Sequence, residues 1–245
     1  MPLTYGHYLK LQELLDLQVA QSEGPEHDEL LFIVIHQVYE LWFKQLLHEL
    51  AHLQRRLEAD DAPAALHTLR RILAILKTVV AQVDVLETMT PRQFTAFRGR
   101  LDAASGFQSA QFRVLEAVLG RRDERMLAPY AEGSEQRVSI QQAMGEPSLF
   151  DSFLAFLAAE GLTVEPDLET ALLAVYEADG LAAQVAERLL DVDEGLQEWR
   201  YRHVQMVRRT IGDRQGTGGS AGAAYLQGTL FHPAFPALWD VRARL

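Results

Sequence analysis

The chain has 245 residues, with 34 acidic against 23 basic side chains, a formal charge of −11, 48% hydrophobic and 23% charged residues, and no cysteine. This is a globular composition, not a disordered or fibrous one, and its negative field argues against nucleic acid and anionic membranes as partners. The lack of cysteine excludes disulfides, thiolate zinc, iron–sulfur clusters, thiolate-ligated haem and a cysteine nucleophile, which leaves His, Asp, Glu, Tyr or Met as the only metal ligands.

A chain of this length buries ~70–75% of its unfolded surface, and one domain over residues 1–245 is the simplest organisation. Leu9, Leu11, Leu14, Leu15 and Val19 recur at three- and four-residue steps and predict a helix over 4–20. After the turn-like QSEGPEHD, a long helix is expected from about 28 to 57, carrying Leu31, Val34, Val38, Leu41, Leu46, Leu50, Leu53 and Leu57. Pro63 suits the start of the next helix, whose stripe runs from Leu66 through Leu69, Ile72, Leu76, Val80 and Val83 to Leu86. Thr90-Pro91 opens another helix with Thr90 as N-cap, and Ala103-Ala104-Ser105-Gly106 interrupts it before Phe107 to Leu119 resume the pattern. Further helices read at 134–144, 147–160, 167–189 and 191–211. No segment alternates with period two, so the fold class is all-α. The N-terminus lacks the basic-then-apolar layout of a signal peptide, and no run of ~18 apolar residues is read, so a cytoplasmic location without a membrane span is expected.

Several constellations could carry chemistry. His48-Glu49-Leu50-Ala51-His52 matches the H-E-x-x-H of zinc peptidases, but a third ligand is needed and the next histidine, His67, lies beyond Pro63. A pair of imidazoles on a solvated helix face is the plainer reading. The stretch Gly216 to Gly222 has neither the P-loop ending nor the dinucleotide spacing, and reads equally as a substrate lid or a loose connection. Phe32 and His36 share a face of the apolar run LLFIVIHQ, where an imidazole costs energy unless it is hydrogen-bonded or used. His203 stands in WRYRHVQMVRR among Arg200, Arg202, Arg208 and Arg209, as on an exposed or anion-facing stretch. Arg98, one turn after Phe94, suits either a surface ion pair or a two-point clamp on a carboxylate.

Four blocks, LTYGHYLKLQELLDLQ, HDELLFIVIHQVYELWFKQLLHEL, TPRQFTAFRGRLDAASGFQSAQFRVLE and RTIGDRQGTGGSAGAAYLQGTLFHPAFPALWDV, together resemble the tryptophan 2,3-dioxygenase family, in the family's order. The resemblance spans nearly the whole chain and is weakest over 120–195. It implies a haem b enzyme that inserts both atoms of O2 across the C2–C3 bond of the indole of L-tryptophan, giving N-formyl-kynurenine at the head of the kynurenine route. His203 would be the axial ligand of the haem iron. His36 would be the catalytic-side histidine near the indole N–H, with Phe32, Ile33, Val34 and Ile35 as adjoining wall. Arg98 would bind the substrate carboxylate beside Phe94, and Thr217 the amino-acid end. The resemblance also implies a homotetramer in which the N-terminal 1–20 segment completes a neighbour's pocket, through Tyr5, Tyr8 and Leu9. Phe94 stands where several bacterial members carry Tyr, and Val83 where some carry Trp. The rival readings are a related haem-dependent indole or aromatic oxygenase, and a zinc hydrolase using His48, Glu49 and His52.

Overall fold

The computed structural model describes residues 2–245 other than 25, 103, 163, 165, 166, 213 and 215–225. Among the described residues there is no strand, and the all-α expectation holds. Three long helices frame the molecule: α3 (His27–Glu58), α4 (Ala62–Leu86) and α10 (Leu181–Ile211). Before them come α1 (Tyr5–Leu9) and α2 (Leu11–Leu15); between them lie α5 (Pro91–Arg98), α6 (Ala110–Val118), α7 (Glu135–Gly145), α8 (Leu149–Ala159) and α9 (Leu168–Ala178), and α11 (Pro236–Asp240) follows.

Local chemistry sets the boundaries. The Asp61 side chain accepts from Ala64 N and Pro63 occupies the first turn of α4, while Asp60 turns the chain through a left-handed conformation at φ 55°. Thr90 and Gln93 form a reciprocal capping box on α5. The helix expected over 167–189 is in fact broken: Asp179 is left-handed at φ 47°, Gly180 caps the next element, and α10 then runs unbroken to Ile211. The apolar period persists across this break, which is why pattern alone misses it. The helix expected over 4–20 also divides, at Lys10 with φ 49°: neither piece buries a residue among the described residues, and pieces this short have little stability of their own.

The core forms where α4 packs on both α3 and α10, with α6 and α8 against α3. Leu53, Leu57 and Leu69 are fully buried there with Phe153, Phe156 and Leu189. Burying each such side chain contributes ~1.5–3 kcal/mol. By length and composition α3 could cross a membrane, which corrects the expectation that no such run exists. Its Phe43, Leu46, Leu50, Leu53 and Leu57 instead join the core with α4 and α8. The buried carboxylate of Asp193 on α10 accepts from Ala234 N, Phe235 N and Trp239 Nε1, and so pins α11, which the sequence reading lacked, to the bundle. A second, smaller core of Ile35, Leu86, Met89, Phe94 and Phe97 joins the N-terminal half of α3 to α5 and the end of α10. That cluster walls the site.

Candidate functional site

Two adjoining cavities, of about 120 Å³ and 100 Å³, open where these elements meet. Both touch His36 from α3, Leu86 from α4, the turn at Gly106-Phe107, and His203 and Met206 from α10. The first is completed by Phe32, Phe94 and Arg98. The second is completed by Tyr39, Phe43, Phe112, Trp199 and the buried ion cluster of Arg113, Glu116 and Arg200.

His36 has one available tautomer. Its Nδ1 lies 2.7 Å from the carbonyl oxygen of Phe32, one turn back, and a carbonyl can only accept, so Nδ1 carries the proton and Nε2 keeps a lone pair. Burial pushes its pKa below the ordinary value, against the opposing pull of the Phe32 carbonyl and Glu40, so the ring is neutral at pH 7. The Phe32 ring sits 4.1 Å from the imidazole and 5.7 Å from Phe94, tilted by 39° and 38° to them, and the three rings form an aromatic wall.

His203 is held at a pKa of about 4 by burial and by the neighbouring His36. A neutral imidazole of this kind is a metal ligand or a hydrogen-bond acceptor, not a standing cation. Trp199, one turn earlier, lies parallel to it at 5.1 Å with an interplanar angle of 4°. The Trp199 indole N–H is directed toward the Tyr39 hydroxyl without reaching hydrogen-bond geometry, while that hydroxyl donates to Val79 O at 3.1 Å. Burial pushes the Tyr39 phenol up to about 12, so this wall is neutral as well.

Arg98 is the only charged side chain among the described residues of the first cavity. Phe94, 8% exposed, offers it no hydroxyl partner. The turn below is braced by Ser105, whose hydroxyl accepts from Phe107 N while its own N–H donates to Gln108 Oε1. On the far wall, Glu116 accepts from Arg113 at 2.6 Å, Arg121 at 2.9 Å and Arg200 at 3.0 Å.

Of the residues singled out from the sequence, Phe32, His36, Phe94, Arg98 and His203 converge on the cavities. Ile33, Val34 and Ile35 do not: Ile35 is buried in the small core, Val34 is exposed and Ile33 is half-buried. Thr217 lies outside the described residues. Tyr5 and Tyr8 are exposed on α1, and Val83 is buried in α4. Sequence reasoning passed over Ser105, Phe107, Trp199 and the Glu116 cluster; Trp199 carried a signal in WRYRH, an aromatic one turn before a histidine.

The zinc motif dissolves on inspection. Glu49 is buried and held by Gln45 at 2.7 Å and Arg71 at 3.2 Å, and His52 Nε2 accepts from Arg56. No group of three candidate metal ligands occurs among the described residues. The geometry therefore offers two neutral imidazoles facing a shared apolar space, an aromatic wall, and one guanidinium able to take a carboxylate.

Comparison with known proteins agrees with that chemistry. The family model described as tryptophan 2,3-dioxygenase matches residues 1–171 and 158–245. The chain is 65% identical to a tryptophan 2,3-dioxygenase of Anaeromyxobacter sp. (strain K), covering 99% of this chain and 96% of the relative. It is 56% identical to one from Herpetosiphon aurantiacus, over 99% and 98% of the two chains. A relative from Caulobacter vibrioides with the same name is 41% identical over 99% of this chain and 98% of its own.

Proposed function

Because the chain belongs to the tryptophan 2,3-dioxygenase family, we propose that the paired cavities hold haem b and L-tryptophan, and that the product is N-formyl-L-kynurenine. The observation that carries this reading is the pair of neutral imidazoles, His36 and His203, on one largely apolar cavity system, with no group of three candidate metal ligands among the described residues. A neutral imidazole with an available lone pair can hold a haem that has no thiolate, and the lowered pKa of His203 leaves such a ring. The unserved Trp199 N–H and the guanidinium of Arg113 stand on the same cavity's wall, where they can meet the polar edge of an otherwise apolar ring. When bound, the ferrous haem supplies the activation of O2 that a closed-shell indole cannot provide.

The chain's own groups then position the substrate. Arg98 takes the carboxylate through a two-point contact that lysine cannot reproduce. The Nε2 lone pair of His36 accepts the indole N–H, a role the tautomer fixed by Phe32 O leaves open to it. Phe32 and Phe94 pack the faces of the ring and exclude water. His36 thus orients the indole and is not required to remove its proton. Both atoms of one O2 enter one substrate molecule as C2–C3 breaks, so no further reductant is consumed.

The exposed leucines and tyrosines of α1 and α2 (Tyr5 75%, Tyr8 71% and Leu15 69% exposed) support an arm that packs on another copy of the chain, and the assembly we propose is a homotetramer in the cytoplasm. The test is to reduce the haem-loaded protein without oxygen, add L-tryptophan and isotopically labelled O2, and identify the product by mass spectrometry. Doubly labelled N-formyl-kynurenine is expected. A singly labelled product, or none from protein holding both haem and L-tryptophan, would overturn the reading in favour of a different indole oxygenase.

A further inference from the structure

A histidine that ligates a metal is usually aimed by a hydrogen bond from its second ring nitrogen to a carbonyl or carboxylate. Among the described residues no such bond holds His203. What holds it is a stack. Trp199 lies parallel to the imidazole, 5.1 Å away with a 4° interplanar angle. The indole is itself immobilised from three sides: Phe112 at 4.7 Å, Phe43 edge-on at 6.1 Å and Tyr39 edge-on at 6.4 Å. Tyr39 in turn is tied to the backbone of α4 through Val79 O. A chain of packed rings therefore runs from α3 and α6, tied to the backbone of α4, to one imidazole on α10.

We propose that Trp199 is a positioning residue that sets the plane of the His203 imidazole by stacking, in place of the customary hydrogen bond. The proposal rests on the haem reading above, with His203 as the axial ligand. The plane of an axial imidazole governs how its ring overlaps the metal orbitals and how strongly it donates, so a ring free to rotate gives a spread of ligand strengths. A ring stacked on a packed indole gives one. Among the described residues no carboxylate bonds to the second nitrogen, so nothing there pushes the ligand toward an imidazolate.

The stack predicts a separation between two substitutions. Trp199→Phe keeps a flat ring against His203 and loses the indole N–H, whereas Trp199→Leu loses the flat surface. The measurement is the iron–histidine stretching band of the ferrous haem-loaded protein by resonance Raman, with the spread of g values of the ferric cyanide complex as a second reading. The expected result is a band near that of the parent for Trp199→Phe and a shifted, broadened band with a wider g spread for Trp199→Leu. Phe112→Leu, which removes the ring behind Trp199 and leaves both stacked residues in place, is expected to broaden the band in the same direction by less.

A Trp199→Leu or Phe112→Leu protein with full haem content and an unchanged band would overturn the proposal. Equal changes in Trp199→Phe and Trp199→Leu would overturn it too, assigning the effect to the lost N–H. Absence of any iron–histidine band in the parent protein would instead remove the ligand assignment on which the proposal stands, and that failure is visible before a variant is made.

Discussion

Arg98 is the place where a small change separates recognition from architecture most cleanly. It is the only charged side chain among the described residues of the cavity that carries Phe32, His36 and Phe94, and the residue one turn before it has no hydroxyl to share a carboxylate. A charge-assisted contact of this kind is worth ~1.5–3 kcal/mol, or roughly 10- to 150-fold in binding or turnover. With Phe94 in the neighbouring position, Arg98→Ala should fall in the upper half of that range for kcat/KM with L-tryptophan. Arg98→Lys keeps the charge but not the fork, and should lose much of the same amount. Tryptamine lacks the carboxylate, so it should be a poor substrate for the parent and barely worse for Arg98→Ala. Steady-state kinetics of both substrates on both proteins complete the cycle. Equal proportional losses for the two substrates would show that Arg98 supports the fold or the haem, and would refute the clamp.

His36→Ala should lower turnover by ~3- to 10-fold, the cost of one orienting hydrogen bond, where an obligatory base would cost ~10²–10⁴. Slow turnover of 1-methyl-tryptophan by that variant would agree, and its complete inertness would count against the orienting role. Deleting residues 1–10, which removes the exposed Tyr5 and Tyr8, should weaken L-tryptophan binding and tetramer assembly while leaving haem content unchanged, as read by calorimetry and light scattering; a fully active monodisperse monomer would refute the shared pocket. In haem-free protein, the native His203 refuses a proton down to pH about 4, while the unfolded chain accepts one near 6.5. Above pH 6.5 both states are neutral and nothing is lost; between 6.5 and 4 the unfolded state gains the proton first, costing about 3 kcal/mol of stability by pH 4. Urea midpoints of the parent should therefore fall more steeply over that interval than those of His203→Leu, and parallel profiles would contradict the buried neutral imidazole.

How much of this was legible in the sequence depended on whether the deciding contact was local. α3 and α4 could be read because their apolar residues recur with the helical period, with Pro63 marking the start of α4 and Thr90-Pro91 that of α5. The break at Asp179-Gly180 escaped because the apolar period continues through it, and only a left-handed residue reveals it. Likewise His36 announced itself as an imidazole in an aliphatic run, and Arg98 and His203 stood in recognisable surroundings. The Glu116 cluster did not, since its arginines come from α6, the loop after it and α10, whose meeting is a tertiary fact. The zinc spacing shows the same limit: His48, Glu49 and His52 suit a metal by spacing, the plainer reading held, and nothing within that helix shows that Arg71 from α4 occupies the glutamate. Ile33 to Ile35 show the limit of carrying a segment over whole, because a helix can present only some of its consecutive residues to one cavity.

His203 is the group proposed to hold haem in the paired cavities. The most direct test is a Soret titration of haem into the parent, His203→Ala, and the His48→Ala and His52→Ala controls, with the bound haem quantified per chain. The parent and both controls should bind stoichiometric haem with the same spectrum, while His203→Ala binds weakly or with an altered spectrum that added imidazole moves back toward the parent's. Stoichiometric haem with an unchanged spectrum and normal turnover in His203→Ala would contradict the account.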